Sequence, residues 1–347
     1  MPSFRTAEVT EILSERPGLQ RVAVRMPDGS GARAYSVTTL TGSVAVGDRV
    51  VLNTTAVELG LGTGGWHVVH WNLAHDELVQ PGPEHIMKLR YTSLQLDAGT
   101  DELDHPEVDQ PLGGVPVAVC SVHSQVATVA AAFHHAAPAR RLVYVMTDGA
   151  SLPIALSDLV VAMRERGLLT ATVTAGHAFG GDLEAVTVAS ALGLAVHTLG
   201  ADAVVVGMGP GVVGTGTRLG TTGIEVASIL DTVDALGGRP LLCVRASDGD
   251  PRERHQGVSH HTRTTLELTH CTPSIADDPP AAGQLQGVRT VHTPDGPSAA
   301  ALFEELDLHV TTMGRDVHQD PMFFAAANAA GRLLATMVST GDRSGDP

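Results

Sequence analysis

From Val115 onward the chain alternates continuous apolar runs with helix-type patterns, and this alternation restricts its fold more than any other feature. The runs VPVAVC, RLVYVM, LTATVT, DAVVVG and PLLCVR have strand length, and weaker ones follow at VRTVH and LHVTTM. Strands that are apolar throughout, not at every second residue, are covered on both faces, and helices between them supply parallel crossovers. The pattern predicts an α/β domain with a doubly wound, mostly parallel, Rossmann-like sheet. Helix signals agree with it. Ser151 is placed to cap SLPIALSDLVVAMRERG, stopped by Gly167, and Asp182 to cap DLEAVTVASALG, stopped by Gly193.

The N-terminal region has a different texture. Between Phe4 and Asn72, QRVAVRMPDG, ARAYSVTTL, VAVGDRVVLNTT and WHVVHWNL alternate with period two between turn signals such as Pro27-Asp28-Gly29. Half-buried short strands of this kind predict a small β-barrel of about five strands. A polar connection follows, with one short element, IMKLRYTSLQL, before Gly114. The expected division is a small β-barrel domain over 1–85, a Rossmann-like domain over 86–340 and a frayed tail over 341–347, with TPSIADDPPAAGQLQG as a surface loop.

Composition narrows the chemistry more than the fold. Asp and Glu number 38 against 22 Lys and Arg, a formal net charge of −16 that disfavours nucleic-acid and membrane partners. Aromatic residues make up 3% of the chain, too few for base-stacking platforms. Lys88 is the one lysine and no glycine loop precedes it, so a P-loop is absent and pyridoxal-phosphate attachment is disfavoured. Three cysteines without C-x-x-C spacing, and no apolar core of signal-peptide length, point to the cytoplasm. Nothing in these counts fixes the oligomeric state, and a homo-oligomer stays open.

In an open α/β sheet, ligands bind beyond the carboxyl ends of the strands. Here the first strand leads to Ser121 and His123, the second to Asp148, the third to His177 and Asp182, and the fifth to Arg245. The fourth opens onto GMGPGVVGTGTRLGTTG, where Gly209, Gly211 and Gly214 form G-x-G-x-x-G. Pro210 removes an amide that a dinucleotide fingerprint uses, and no acidic residue closes the next strand. With Thr215 and Thr217 the loop reads instead as a cradle of amides at a helix N-terminus, suited to a phosphate or carboxylate. Arg245, Arg252 and Arg254 add guanidinium forks. His255, His260 and His261 are acid–base groups or metal ligands, since imidazole serves either purpose near neutral pH. No H-E-x-x-H spacing occurs, so a divalent metal would need ligands from separate loops, with His177 and Asp182 as candidates. His67, His70, His134 and His135 fall in barrel or helix patterns and read as structural.

Taken together, NTTAVELGLGTGG, MTDGASLPIALSDLV, GMGPGVVGTGTRLGTTG, RERHQGVSHHT and MGRDVHQDPMFFAAANAAG resemble the bacterial family catalogued as domain of unknown function 3866. The resemblance implies a bacterial, cytosolic protein and supplies no reaction, cofactor or catalytic residue.

Residue chemistry alone favours an enzyme, a hydrolase or transferase, acting on an anionic small molecule. The glycine/threonine loop and the arginines would hold a phosphate or carboxylate, with Ser121 and His123 lining the site. Asp148 and one of His255, His260 or His261 would transfer protons, with a divalent metal as an option. Two alternatives come from other classes. One is a non-catalytic small-molecule sensor or assembly protein with the barrel as its interaction module. The other is an NADP-dependent oxidoreductase with Arg245 near the 2′-phosphate.

Overall fold

The computed structural model describes residues 2–62, 64–83, 86–277 and 283–339, so the tail at 341–347 and part of the loop following Asp277 lie outside the described residues. The chain divides into two compact units, Met1–Gly99 and Thr100–Pro347.

The first unit is a closed five-stranded barrel. Its strands are β1 (Phe4–Arg16), β2 (Leu19–Arg25), β3 (Gly31–Ser36), β4 (Arg49–Asn53) and β5 (Trp66–Asn72), closing in the order β1-β2-β3-β5-β4. β1 serves two neighbours. Phe4 to Glu8 pair with β4, the rest pairs with β2, and irregularities at Val9/Glu11 and Ile12/Ser14 give the strand the bend this requires. The inward residues are small, among them Ala7, Val9, Val22, Val24, Ala34 and Val69, as the narrow interior of a five-stranded barrel demands. Single turns α1 (Thr38–Thr41) and α2 (Thr55–Glu58) join the later strands. A two-stranded ribbon, β6 (Met87–Lys88) with β7 (Leu96–Asp97), also belongs to this unit and contains the fully buried Lys88.

The second unit is built on an eight-stranded sheet. In chain order its strands are β8 (Pro116–Cys120), β9 (Leu142–Thr147), β10 (Ala171–Ala175), β11 (Leu183–Ala185), β12 (Ala203–Met208) and β13 (Arg239–Leu242). A separate ribbon of β14 (Ala246–Ser247) and β15 (Gly257–Val258) precedes the last two, β16 (Ser274–Ala276) and β17 (Arg289–Val291). The sheet order is β11-β10-β9-β12-β8-β13-β16-β17, and every neighbouring pair is parallel. Alternate residues of β8 face opposite cores. Ala118 and Cys120 join α3 (His123–Ala136), α4 (Asp158–Glu165), α8 (Ala299–Glu305) and α9 (Pro321–Ser339), while Val117 and Val119 join α5 (Val188–Gly193) and α6 (Glu225–Ala235). The chain thus forms an N-terminal barrel and, after it in sequence, a Rossmann-like, doubly wound α/β sheet.

Topology fixes where a crevice opens. The crossover from β8 runs through α3 to β9, and that from β12 runs through α6 to β13 on the other face. Because β12 lies between β9 and β8, the two crossovers diverge at the β8/β12 boundary. No helix among the described residues is long and apolar enough to cross a membrane.

Several local expectations are overturned. Ser157, not Ser151, caps α4, its Oγ accepting the Val160 amide at 3.1 Å, and Ile154–Leu156 forms a single 3-10 turn ahead of it. Leu183–Ala185 is an edge strand, and α5 starts only at Val188 behind Thr187. Gly193 does not stop that helix, which continues through a π turn, Leu194–Thr198. Glycine is needed there because a Cβ would collide with the Val108 carbonyl. Ser274–Ala276, within the stretch read as a surface loop, is instead the buried strand β16, too short to register as a period. The run LHVTTM forms no strand. Thr312 and Arg315 bridge a tight turn through Met313 and Gly314, both at positive φ (50° and 80°).

Candidate functional site

Beyond β13 the chain turns inward instead of following the sheet. Arg245 is only 5% exposed, its amide donates to Thr262 Oγ1 at 3.0 Å, and its Nη1 donates to His261 Nδ1 at 3.0 Å. The ribbon β14/β15 then returns the chain to Ser259, which caps α7 (His260–Leu268) by accepting the His261 amide at 3.2 Å. Ser259 Oγ also meets His255 Nδ1 at 2.8 Å. The rings of His255, His260 and His261 thereby pack with centroids 4.2–5.0 Å apart.

Two buried carboxylates aim the arginines. Asp250, 1% exposed, receives Nε and Nη2 of Arg252 at 2.8 and 2.6 Å and Nη2 of Arg315 at 3.2 Å. Asp320 receives Arg315 Nε at 3.0 Å, Ser247 Oγ at 2.7 Å and the amides of Asp248 and Gly249 at 3.2 and 3.3 Å. Arginine hydrogen bonds hold the Asp250 carboxyl well below the usual carboxylate range. Four guanidiniums, Arg245, Arg252, Arg254 and Arg315, therefore face two carboxylates, and the cluster keeps a positive surplus. Between this cluster and the glycine loop lies a cavity of about 100 Å3, with Gly214, Gly216 and Thr221 on one wall and Arg245, Arg252, Arg254, His255 and His261 on the other.

Burial first, and the neighbouring guanidiniums second, push His255 down to about 4, His261 down to about 3, and His260 below its ordinary value. Burial also lowers Arg245 to about 10. All three imidazoles are neutral at pH 7, and the bond to Arg245 decides where the His261 proton sits. Arg245 can only donate, so His261 Nδ1 accepts and Nε2 carries the proton. Ser259 Oγ accepts the His261 amide and keeps both a hydroxyl proton and a second lone pair, so it pairs with either tautomer of His255.

This polarity bears on what the cluster is suited to hold. The ligating nitrogens of His255, His260 and His261 all lie within 4.8 Å of one another, a spacing a metal could use. A metal-bound histidine, however, gives its other N–H to a carboxylate or carbonyl. Here His261 is backed by a guanidinium, so it presents an N–H where a metal needs a lone pair. The donor set fits an anion.

A second group of polar residues lies at the end of β9. Glu225 opens α6, and its Oε1 accepts from Thr147 Oγ1 at 2.6 Å. Burial first, with Asp148 adding to it, raises the Glu225 carboxyl to about 7. A Cβ on Gly149 would come within 2.8 Å of Glu225 Oε2, so glycine makes room for this carboxyl. Asp148 Oδ2 accepts the His177 amide at 2.9 Å, and a Cβ on Gly176 would collide with the same carboxylate.

The remaining candidates are dispersed or already engaged. His123 Nδ1 contacts the Met208 carbonyl at 3.1 Å and Nε2 the Ser157 hydroxyl at 2.6 Å, so both ring nitrogens tie α3 to neighbouring elements. Ser121 lies at the β8/β12 divergence, its amide and hydroxyl both donating to Gln125 Oε1, at 2.9 and 3.1 Å. Asp182 is bonded to Arg164 and to the Thr172 amide and hydroxyl. With His177 it forms no three-ligand group among the described residues. Gly209 allows close packing, since a Cβ there would lie 2.7 Å from the Ser151 carbonyl, and Gly211 holds a positive φ of 102°. Thr215 and Thr217 bond each other at 3.0 Å within the loop, and Thr221 lines the cavity in their place. Glu225, Ser259 and Asp320 carried no sequence signal as site residues, whereas Arg315 follows the strand-type run LHVTTM and Asp250 lies in the stretch rich in arginine and histidine after PLLCVR. Glu225 could have been found as the acidic first residue of the helix that follows the glycine loop.

Residues 33–331 match the profile of a family described as Protein of unknown function (DUF3866). No curated protein matches the chain.

Proposed function

The chain belongs to this family, which lends it no reaction, and we propose that it is a hydrolase or transferase acting on a phosphate- or carboxylate-bearing small molecule. The anion is held by Arg245, Arg252, Arg254 and the Nε2–H of His261, with His255 beside them, against Gly214, Gly216 and Thr221. The observation that supports this most is the proton placement on His261, fixed by the buried Arg245. Preorganised N–H donors and guanidinium forks around a small cavity suit an anion.

Proton transfer falls to Glu225, with Asp148 beside it, and not to the histidines. Imidazoles that titrate near 3 or 4 are mismatched to chemistry at neutral pH, whereas a carboxyl near 7 is matched to it. From β9 to β13 the sheet order spans three strand spacings, about 14 Å. A substrate reaching both ends carries its charge remote from its reacting group, as a sugar phosphate does.

Thermal unfolding with inorganic phosphate tests the anion site. Phosphate should raise the melting temperature by mass action, and Arg245→Ala should abolish the rise. Stabilisation by zinc and not by phosphate would overturn the proposal.

A further inference from the structure

A large cavity, about 820 Å3, lies at the mouth of the barrel between the β2–β3 turn and α2, with the inward His67 of β5 in its lining. The crevice cavity of the α/β unit is smaller, about 100 Å3, and its wall is of two kinds. Arg245, Arg252, Arg254, His255 and His261 supply the polar part. Val212, Val213 and Met313 supply an apolar part, for which a bare phosphate or carboxylate has no use.

Among the described residues of the α/β unit, six large apolar side chains are exposed: Leu103, Val186, Val213, Leu219, Leu268 and Met313. Three of the six belong to the two segments that supply the apolar wall, Val213 and Leu219 to the glycine loop and Met313 to the Thr312–Arg315 turn. Apolar side chains exposed singly are ordinary, but exposed ones gathered at a cavity mark ligand contact.

Fixed backbone holds Val213 and Met313 in place. The Val213 amide donates to Thr222 Oγ1 at 3.2 Å, the Thr222 amide donates to the Val213 carbonyl at 2.9 Å, and Gly214 bridges Thr221 beside them. Thr312 and Arg315 exchange both backbone hydrogen bonds, at 2.8 and 2.9 Å. Met313 is left at the tip with φ 50°, a conformation rarely adopted by residues other than glycine, asparagine and aspartate. Arg315 ties that turn to Asp320 and to Asp250, the carboxylate that also aims Arg252. One anchor therefore fixes a guanidinium of the polar wall and the methionine of the apolar one. A side chain 57% exposed contributes little burial to the fold, and backbone strain of this kind collects at ligand sites.

The sheet order gives the apolar wall a direction. β12 lies between β9 and β8, so the loop leaving it starts between the end of β9, where Asp148 and Glu225 lie, and the end of β13, which leads to Arg245. A substrate that joins the two ends passes this loop with the part that separates its charge from its reacting group.

We propose, resting on the anion site described above, that this part is apolar: the substrate is an organic phosphate or carboxylate with an aliphatic or aromatic spacer held by Val213 and Met313. A sugar phosphate has the same separation of charge and reacting group but would set hydroxyls against these side chains. Methionine is unbranched and polarisable, so it adapts to the shape of such a spacer, and Val212, packed on the core, is a fixed floor for it.

Calorimetric titration of the full chain with inorganic phosphate, n-pentyl phosphate and glycerol 1-phosphate tests this, since the two esters match in charge and nearly in size. Pentyl phosphate should bind about tenfold tighter than glycerol 1-phosphate, the value of roughly two buried methylenes, and with a more negative heat-capacity change. Met313→Gln and Val213→Thr keep side-chain size at exposed positions, and each should cut that preference to about threefold. Equal binding of the two esters, with inorganic phosphate still bound, overturns the apolar spacer and leaves the anion site standing. Failure of all three ligands to bind removes the anion site and the spacer with it. A preference that survives undiminished in both variants overturns the assignment to Val213 and Met313.

Discussion

The barrel mouth and the α/β crevice differ in what surrounds their charged groups. The mouth is about 820 Å3 over Ala and Val, and its inward histidine has an unpaired nitrogen. The crevice is about 100 Å3, and Arg245, His255 and His261 are each fixed by a neighbour that is itself fixed. The difference follows from the scaffold. A narrow five-stranded barrel has room for small inward side chains only, so no second layer of polar groups can stand behind His67. At the end of an open sheet, the ribbon, the Thr312–Arg315 turn and α9 can all bring groups in behind the arginines, Asp320 lying just ahead of α9. Fixed-charge recognition needs that second layer.

Removing the layer should have the largest effect. Asp250→Ala leaves Arg252 and Arg315 without their shared carboxylate, at a cost of about 3–5 kcal/mol in urea unfolding, the usual penalty for breaking a buried ion pair. Phosphate stabilisation should vanish with it. A cost below about 1 kcal/mol would mean that the arginines need no anchor, and the contrast with the mouth would collapse.

Glu225 sharpens the contrast through pH. Its folded value, about 7, lies above its ordinary 4.5. Below 4.5 the carboxyl is protonated in both states; as pH rises towards 7 the unfolded chain releases the proton while the folded chain retains it, and stability falls. The loss is on the order of 3 kcal/mol and is complete above the folded value. Glu225→Gln should remove that slope, matching the wild type near pH 4 and exceeding it near pH 8. Parallel stability curves across this range would deny Glu225 its proton.

What the sequence revealed and what it concealed divide along the same line. Continuous apolar runs disclosed the sheet, because Val and Ala fully covered on both faces leave a local signature at VPVAVC and DAVVVG. Strand ends disclosed Arg245 and the three histidines, because topology places ligands there. The supporting residues were hidden. Asp320 reaches Arg315 and Ser247 from just before a helix that lacks alternating polarity, and Ser259 gains its role only when the β14/β15 ribbon folds back. Contacts that join distant segments carry no local period. Gly193 misled for a related reason, since its need is tertiary, the approach of Val108, and not the end of a helix.

The smallest effect is the most discriminating. His67→Leu replaces an imidazole whose Nδ1 has no partner with an apolar side chain of similar size, inside a barrel lined by Ala and Val. Replacing an unsatisfied buried polar group in this way is neutral or stabilising, so the change should stay within about 1 kcal/mol. The same substitution at His261 leaves Arg245 Nη1 without its acceptor in a buried setting and should cost about 1–3 kcal/mol. Urea unfolding of the two variants side by side measures the difference between a histidine that supports its surroundings and one that does not. If His67→Leu proved as costly as His261→Leu, His67 would be a structural residue of the barrel.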